Sequence, residues 1–444
     1  MSTRSVVLFV LTSVLCVLAS PARGADPEMD ALKRQVQEMQ QQIRSLQDRL
    51  DRLGAAKAPD PVGPPPTAAA VPPAQPVAPK AYMNISLDGM FAVGTSTAED
   101  VETLEGGGHN PNQRGFTVQN VELTLDGAVD PYFKAQANVI LQIDQEGEST
   151  VELEEAFAVT TSLPANLQVK AGQYFSEFGR LNPQHPHAWD FVDQPLVNNR
   201  FFGGDGLRNP GARVSWLAPI PFYAELFLSV QDSQGETAFS FRNTSGESVY
   251  GHTIEETSVD SAGDLLYVPR AVASFDLTDT QTLMVGASAA FGPNGTGQHT
   301  RTQIYGADVF WKWKPSYARG GWPFVKWQTE AMFRRYEAGE DEEAGLPDET
   351  LNDWGFYSQV LFGFVERWAA GLRCDYVTGD SGAQDADSER ATRFRLSPDL
   401  SFFPSEFSKL RLQYNYDDIE DRGAEHSVWG QLEFLLGAHA AHKF

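Results

Sequence analysis

Beyond residue 81 the chain alternates apolar and polar side chains residue by residue, and this period of two constrains its fold more than any other feature. Met83, Ile85, Leu87, Phe91 and Val93 are interleaved with Asn84, Ser86, Asp88 and Ala92. Phe133, Ala135, Ala137, Val139, Leu141 and Ile143 are interleaved with Lys134, Gln136, Asn138, Gln142 and Asp144. Successive side chains of a strand point to opposite faces, whereas a helix needs apolar residues three and four apart. Further strands are expected to start near Phe116, Val151, Leu167, Ala212, Phe222, Leu266, Leu283, Gln303, Val325, Phe356, Ala370, Arg393, Lys409 and Val428. That makes about sixteen, typical of a membrane barrel. The last is expected to stop near Leu436, after which the alternation ceases.

The connections between strands alternate in length. Tight ones fall at Asp130-Pro131, Leu163-Pro164-Ala165, Pro219-Ile220-Pro221, Thr278-Asp279, Val365-Glu366-Arg367 and Pro404-Ser405-Glu406; long ones span 95–114, 176–208, 232–264, 337–353 and 378–391. Outer-membrane barrels keep short turns on the periplasmic side and long loops outside, and a soluble sandwich has no reason to do so. Trp216, Phe222, Trp311, Trp313 and Trp368 lie beside the short turns, as a girdle at headgroup depth requires. The expected fold class is therefore all-β, a transmembrane antiparallel up-and-down β-barrel at 81–444.

Ahead of the barrel three segments are expected. At 1–24, Arg4, an apolar run over 6–18 and Ala22-Arg23-Gly24 read as a signal peptide. The apolar run is short of the ~20 residues that a spanning helix needs. Ser13-Val14-Leu15 does not suit Cys16 as a lipoprotein cysteine. Cys374 is then alone in the mature chain and no disulfide holds the fold. At 25–53, Met29, Leu32, Val36, Met39, Ile43, Leu46, Leu50 and Leu53 alternate at spacings of three and four, the seam of a coiled-coil stalk in the periplasm. At 54–80, prolines and alanines make an extended linker.

The net charge of -25 argues against nucleic acid as a partner. Outer-membrane lipid and lipopolysaccharide are the expected surroundings. The acidic run Glu337, Glu340, Asp341, Glu342, Glu343, Asp348 and Glu349 is a solvated loop, or one that divalent cations bridge to lipopolysaccharide phosphates.

Two stretches, Val151-Glu152-Leu153-Glu154-Glu155-Ala156-Phe157 and Val169-Lys170-Ala171-Gly172-Gln173-Tyr174-Phe175-Ser176-Glu177-Phe178-Gly179, resemble the fourth and fifth strands of the phosphate-selective porin O and P family. Glu177 stands where that family usually has proline. The resemblance implies a trimer of sixteen-stranded barrels, a loop folded into each pore, and often an N-terminal coiled coil. It leaves phosphate selectivity open.

The segment 176–208 is the candidate constriction. Charged groups at a narrow point act on every passing ion, so Lys170, Arg180, Arg200 and Arg213 are the expected selectivity residues, giving modest anion preference. On the same phase the lumen carries basic and acidic residues in nearly equal numbers, many expected to pair across neighbouring strands. His185-Pro186-His187, and His439 with His442, are imidazole pairs to which no cysteine or tight acidic cluster is joined in sequence, so no metal site and no cofactor is assigned. No H-E-x-x-H, G-x-S-x-G or phosphate-cradling Gly-Lys-Ser/Thr motif occurs, and no enzymatic role is expected. The expected function is passive diffusion of small hydrophilic solutes, possible anions such as phosphate included, through a homo-oligomeric channel of the bacterial outer membrane. A receptor for a metal complex, which needs about 22 strands and a plug, and a structural envelope anchor are the alternatives.

Overall fold

The computed structural model describes residues 83–437 except 146, 256–257 and 384–389. The chain divides into Met1–Pro76 and Val77–Phe444, and every described residue belongs to the second unit. The signal peptide, stalk and linker lie outside the described residues, as do His439 and His442.

The alternating segments form strands β1 (Met83–Ser96), β2 (Gly115–Ala128), β3 (Phe133–Ile143), β4 (Ser149–Thr160), β5 (Leu167–Phe175), β6 (Arg208–Leu217) and β7 (Tyr223–Gln231). A two-residue ribbon, β8 (Ser248–Val249) and β9 (His252–Thr253), sits in a long loop. The series continues with β10 (Leu266–Thr278), β11 (Gln281–Pro293), β12 (Arg301–Trp313), β13 (Phe324–Ala338), β14 (Glu349–Val365), β15 (Trp368–Gly379), β16 (Arg393–Ser405), β17 (Ser408–Ile419) and β18 (Gly423–Gly437). Sixteen of these close into one antiparallel barrel in chain order, β7 pairing with β10 and β18 returning to β1 from Ser86↔Gly437 to Ser96↔Ser427. Each expected strand is present, and the last ends at Gly437.

The alternation becomes two surfaces. Leu372, Leu400, Leu410, Leu412 and Leu432 point outward and are exposed, while Arg395, Asp417, Gln413 and Glu433 on the same strands point inward and are buried. An exposed apolar belt around the whole barrel requires hydrocarbon outside. Trp216, Phe222 and Trp368 are exposed beside the short turns, as a girdle demands. Trp322 behaves differently. It turns inward from the connection 314–323 and packs with Phe324, Leu361, Ala369 and Phe403.

Besides irregularities beside the short turns, two bulges in mid-strand interrupt the period of two. In β2, Met90 pairs with Asn120 and Phe91 with Val118, so Gln119 is an extra residue; in β4, Asn138 pairs with Glu155 and Val139 with Leu153, so Glu154 is extra. A bulge re-aims side chains, and here Gln119 with Asn120, and Glu154 with Glu155, are consecutive residues that are all buried.

All the long loops lie at one end of the barrel. The loop 97–114 differs from the exposed loop expected there. Its short helix α1 (Val101–Glu105), capped by Asp100 and closed by Gly106 at φ +64°, buries Glu105 against Arg395 at 2.7 Å and Trp429 at 3.2 Å. The acidic loop after β13 stays outside: Gly345 has φ +71° and open space around it. An epitope tag inserted at Gly345 is expected to be reached by antibody on intact cells; a signal seen only after permeabilisation reverses the orientation.

Candidate functional site: a loop inside the barrel

The connection from β5 to β6, residues 176–207, folds into the barrel as the resemblance implied. Its apolar side chains explain why. Phe178, Leu181, Leu196, Val197, Phe201, Phe202 and Leu207 are buried in one cluster with Leu266, Val268, Ala290, Ile304, Met332, Tyr357 and Val377 of the strands β10 to β15. This part of the inner wall is apolar, so leaving the loop in water would expose both surfaces. Gly306 makes room for Phe178, whose ring lies 2.7 Å from where a Cβ would stand. Helix α2 (Leu196–Phe202) follows Pro195 and is ended by Gly203 at φ +78°.

Elsewhere the loop is held by polar groups. Glu330 of β13 accepts from the backbone N–H of Arg180 at 3.1 Å and of Leu181 at 2.8 Å. Asp190 pairs with Lys326 at 2.6 Å. Gln119, the extra residue of the β2 bulge, donates to the carbonyls of His109 at 2.9 Å and Val192 at 3.1 Å, tying two loops to the wall. Asp193 has the densest set of partners. It accepts from Arg373 at 2.8 Å, Gln413 at 2.6 Å and Asn415 at 3.1 Å, and pairs with Arg395. Burial alone would raise the pKa of Asp193, but Arg373 and Arg395 reverse this and hold it below the usual carboxylate value.

The four expected selectivity residues do not form one ring. Lys170 and Arg213 are register partners on β5 and β6. Both face Glu177, with Lys170 at 3.9 Å and Arg213 in a closer ion pair, and Lys170 also lies over the Phe157 ring at 4.3 Å. The residue that replaces the usual proline is therefore their counter-ion. Arg180 stands apart, its guanidinium 3.8 Å above Phe310 and its Nε donating to Gln328 at 3.1 Å. Lys312, two residues beyond Phe310 on the inner face of β12, lies within electrostatic reach of Lys326, Lys314 and Arg180, and of the carboxylate of Asp190 that pairs with Lys326. Neither Arg180 nor Lys312 forms an ion pair among the described residues. Arg200 is at the loop end of the barrel, donating to the carbonyls of Arg390 at 3.2 Å and Ala391.

Most other inner charges pair across strands, as expected. Arg270 meets Asp308 at 2.7 Å, Arg334 meets Asp353 at 2.7 Å, Arg395 meets Asp417 at 2.8 Å and Lys409 meets Glu433 at 2.6 Å.

Sequence reasoning missed a further cluster. His185 and His187 of the loop meet Glu122 of β2 and Glu154 and Glu155 of β4. Burial disfavours a charged His185, but Glu122 and Glu154 outweigh it and hold the imidazole pKa well above its ordinary value. The missing signal was the β4 bulge, without which Glu155 points at lipid.

These features define the class: a sixteen-stranded barrel of the outer-membrane channel type with an inward-folded loop. The outer membrane channel DcaP of Acinetobacter baumannii superposes with a TM-score of 0.53 at 12% identity, over 81% of this chain and 97% of that one. The anion-selective porin from Comamonas acidovorans gives 0.49 at 9% identity, over 80% and 100%. No family model matches the chain. An uncharacterized protein of Aquifex aeolicus (strain VF5) is 35% identical over 363 residues, 76% of this chain and 73% of that protein, and this chain belongs to its family.

Replacing Asp193 with Ala removes one carboxylate from two buried guanidinium groups. Breaking a buried pair of this kind costs about 3–5 kcal/mol. Faster hydrogen exchange across 176–207 with the strands unchanged is the expected outcome, and unchanged loop protection would show that apolar packing alone holds the loop.

Proposed function

We propose that this chain is an outer-membrane channel for diffusion of small hydrophilic solutes, and that the loop 176–207 decides what passes. One observation carries this reading: a closed sixteen-strand barrel, apolar outside and charged inside, has its own loop packed against the inner wall. A receptor with a separate plug needs about 22 strands, more than this barrel has. A transporting role also accounts for the inner wall without any reaction, and a trimer with a periplasmic stalk suits both the resemblance and the heptads.

We further propose a preference for anions, phosphate among them. The weight of that preference falls differently from the sequence expectation. Lys170 and Arg213 are partly offset by Glu177 in direct ion pairs, whereas Arg180 and Lys312 form no ion pair among the described residues, and the nearby Asp190 is engaged by Lys326. Acidic external loops are screened by salt within about 8 to 10 Å, while charges in a narrow, partly desolvated lumen act on each ion. Arg200, at the loop end, contributes least.

Reversal potentials across a planar bilayer in a salt gradient test this. Arg180→Gln combined with Lys312→Gln is expected to move the reversal potential toward cations by more than Lys170→Gln with Arg213→Gln. Glu177→Gln should move it the other way. The reverse order of the first two shifts returns selectivity to the Lys170 and Arg213 pair. A folded protein that does not conduct at all would favour the envelope anchor.

A further inference from the structure

At the centre of the histidine and glutamate cluster under the inward loop, the approach of His185 Nδ1 to two carboxylates is not one of hydrogen bonding. His185 Nδ1 is 2.7 Å from Glu154 Oε2 and 3.3 Å from Glu122 Oε2, with both carboxylates buried. Neither approach has hydrogen-bond geometry, and Glu154 has no hydrogen bond at either oxygen. The three donor atoms lie within 4.8 Å of one another. Two carboxylates in a water-poor interior repel and are costly to desolvate unless positive charge lies between them; a protonated His185 supplies one charge, and a divalent ion that displaces its proton supplies two. The 3.3 Å separation is close to that between neighbouring tetrahedral ligands that each bind an ion at about 2.0–2.2 Å, and the 2.7 Å approach would open slightly to admit one.

The surrounding contacts fit the same reading. His185 Nε2 faces Glu155 Oε2 at 2.9 Å, and a carboxylate on the far ring nitrogen is what orients a metal-bound imidazole. Glu122 uses Oε1 to accept from Thr124 at 3.0 Å and from Asn138, while its Oε2 faces the two histidines of the loop. His187 Nδ1 is 3.3 Å from that same Oε2, placed to offer a fourth ligand. His109 Nε2 approaches Glu154 Oε1 at 3.5 Å from a second loop.

We propose that His185, Glu122 and Glu154 bind one divalent transition-metal ion, with His187 completing the set, and that the ion clips the inward loop to β2 and β4. Mixed imidazole and carboxylate ligands suit zinc. The clip rests on the loop's position and stands whether or not the barrel conducts.

The full-length protein, folded in detergent and stripped with EDTA, is titrated with Zn2+, and bound metal is counted by mass spectrometry after desalting. One ion per chain is expected. Glu154→Gln and His185→Gln should each abolish stoichiometric binding, and Glu155→Gln should weaken it by about 10–100-fold, the usual cost of losing an outer partner. A His439→Ala, His442→Ala variant should bind as before. Barrel folding of each variant is checked by heat-dependent electrophoretic mobility. If Glu154→Gln does not fold, His185→Gln and His187→Gln decide, since both change the loop and leave the strands intact. No binding by the unaltered protein, binding that survives His185→Gln, or binding lost with His439 and His442 overturns the site.

Discussion

The structure depends on closure of the sheet in hydrocarbon. A lipid bilayer offers no partner to a free N–H or carbonyl, so a sheet can cross it only if its first and last strands meet. The pairing of β1 with β18 supplies that closure. Once the backbone is satisfied, side chains follow from the pleat: every second residue faces lipid and the rest face inward. A circle of this size leaves an interior wide enough to need filling or wetting.

The long β5–β6 connection does part of that filling, and it does so through three kinds of contact. Toward β10 to β15 it packs apolar against apolar, with Phe178 and Val197 against the wall. Toward β15 to β17, Asp193 engages Arg373, Arg395, Gln413 and Asn415. Toward β2 and β4 the contacts are histidines on carboxylates. Packing supplies stability with little direction, while the buried ion pairs fix where the loop stops, because a displaced Asp193 would leave two desolvated guanidinium groups short of a partner.

The strands were legible in the sequence because each obeys a local rule. Alternation at Met83 to Val93 and at Phe133 to Ile143 needs no knowledge of the rest of the chain, and the lengths of the connections separate the two barrel ends. The site was less legible, because its geometry is set by pairings far apart in sequence. Lys170, Arg180, Arg200 and Arg213 share a sign and a neighbourhood in the chain, yet the fold sends Arg200 to one end, joins Lys170 and Arg213 through Glu177, and sets Arg180 on Phe310. His185 showed no acidic companion in sequence, since Glu122 and Glu154 come from distant strands. The bulges were invisible for a related reason: one extra residue changes a face without changing composition.

That last feature bears on how such a barrel can vary. Between Leu153 and Ala156 the strand carries one residue more than its partner, so the lining downstream of Glu154 is in phase only because of that bulge. Deleting Glu154 would restore plain alternation, with Leu153 still outward and a single glutamate left facing the lumen, whereas one residue added or removed elsewhere in the strand would turn its side chains to the opposite face; a loop such as 339–348 can lengthen without altering any strand's phase. A connection can thus change length without touching the lumen, whereas the count of residues along β2 and β4 decides which side chains line it.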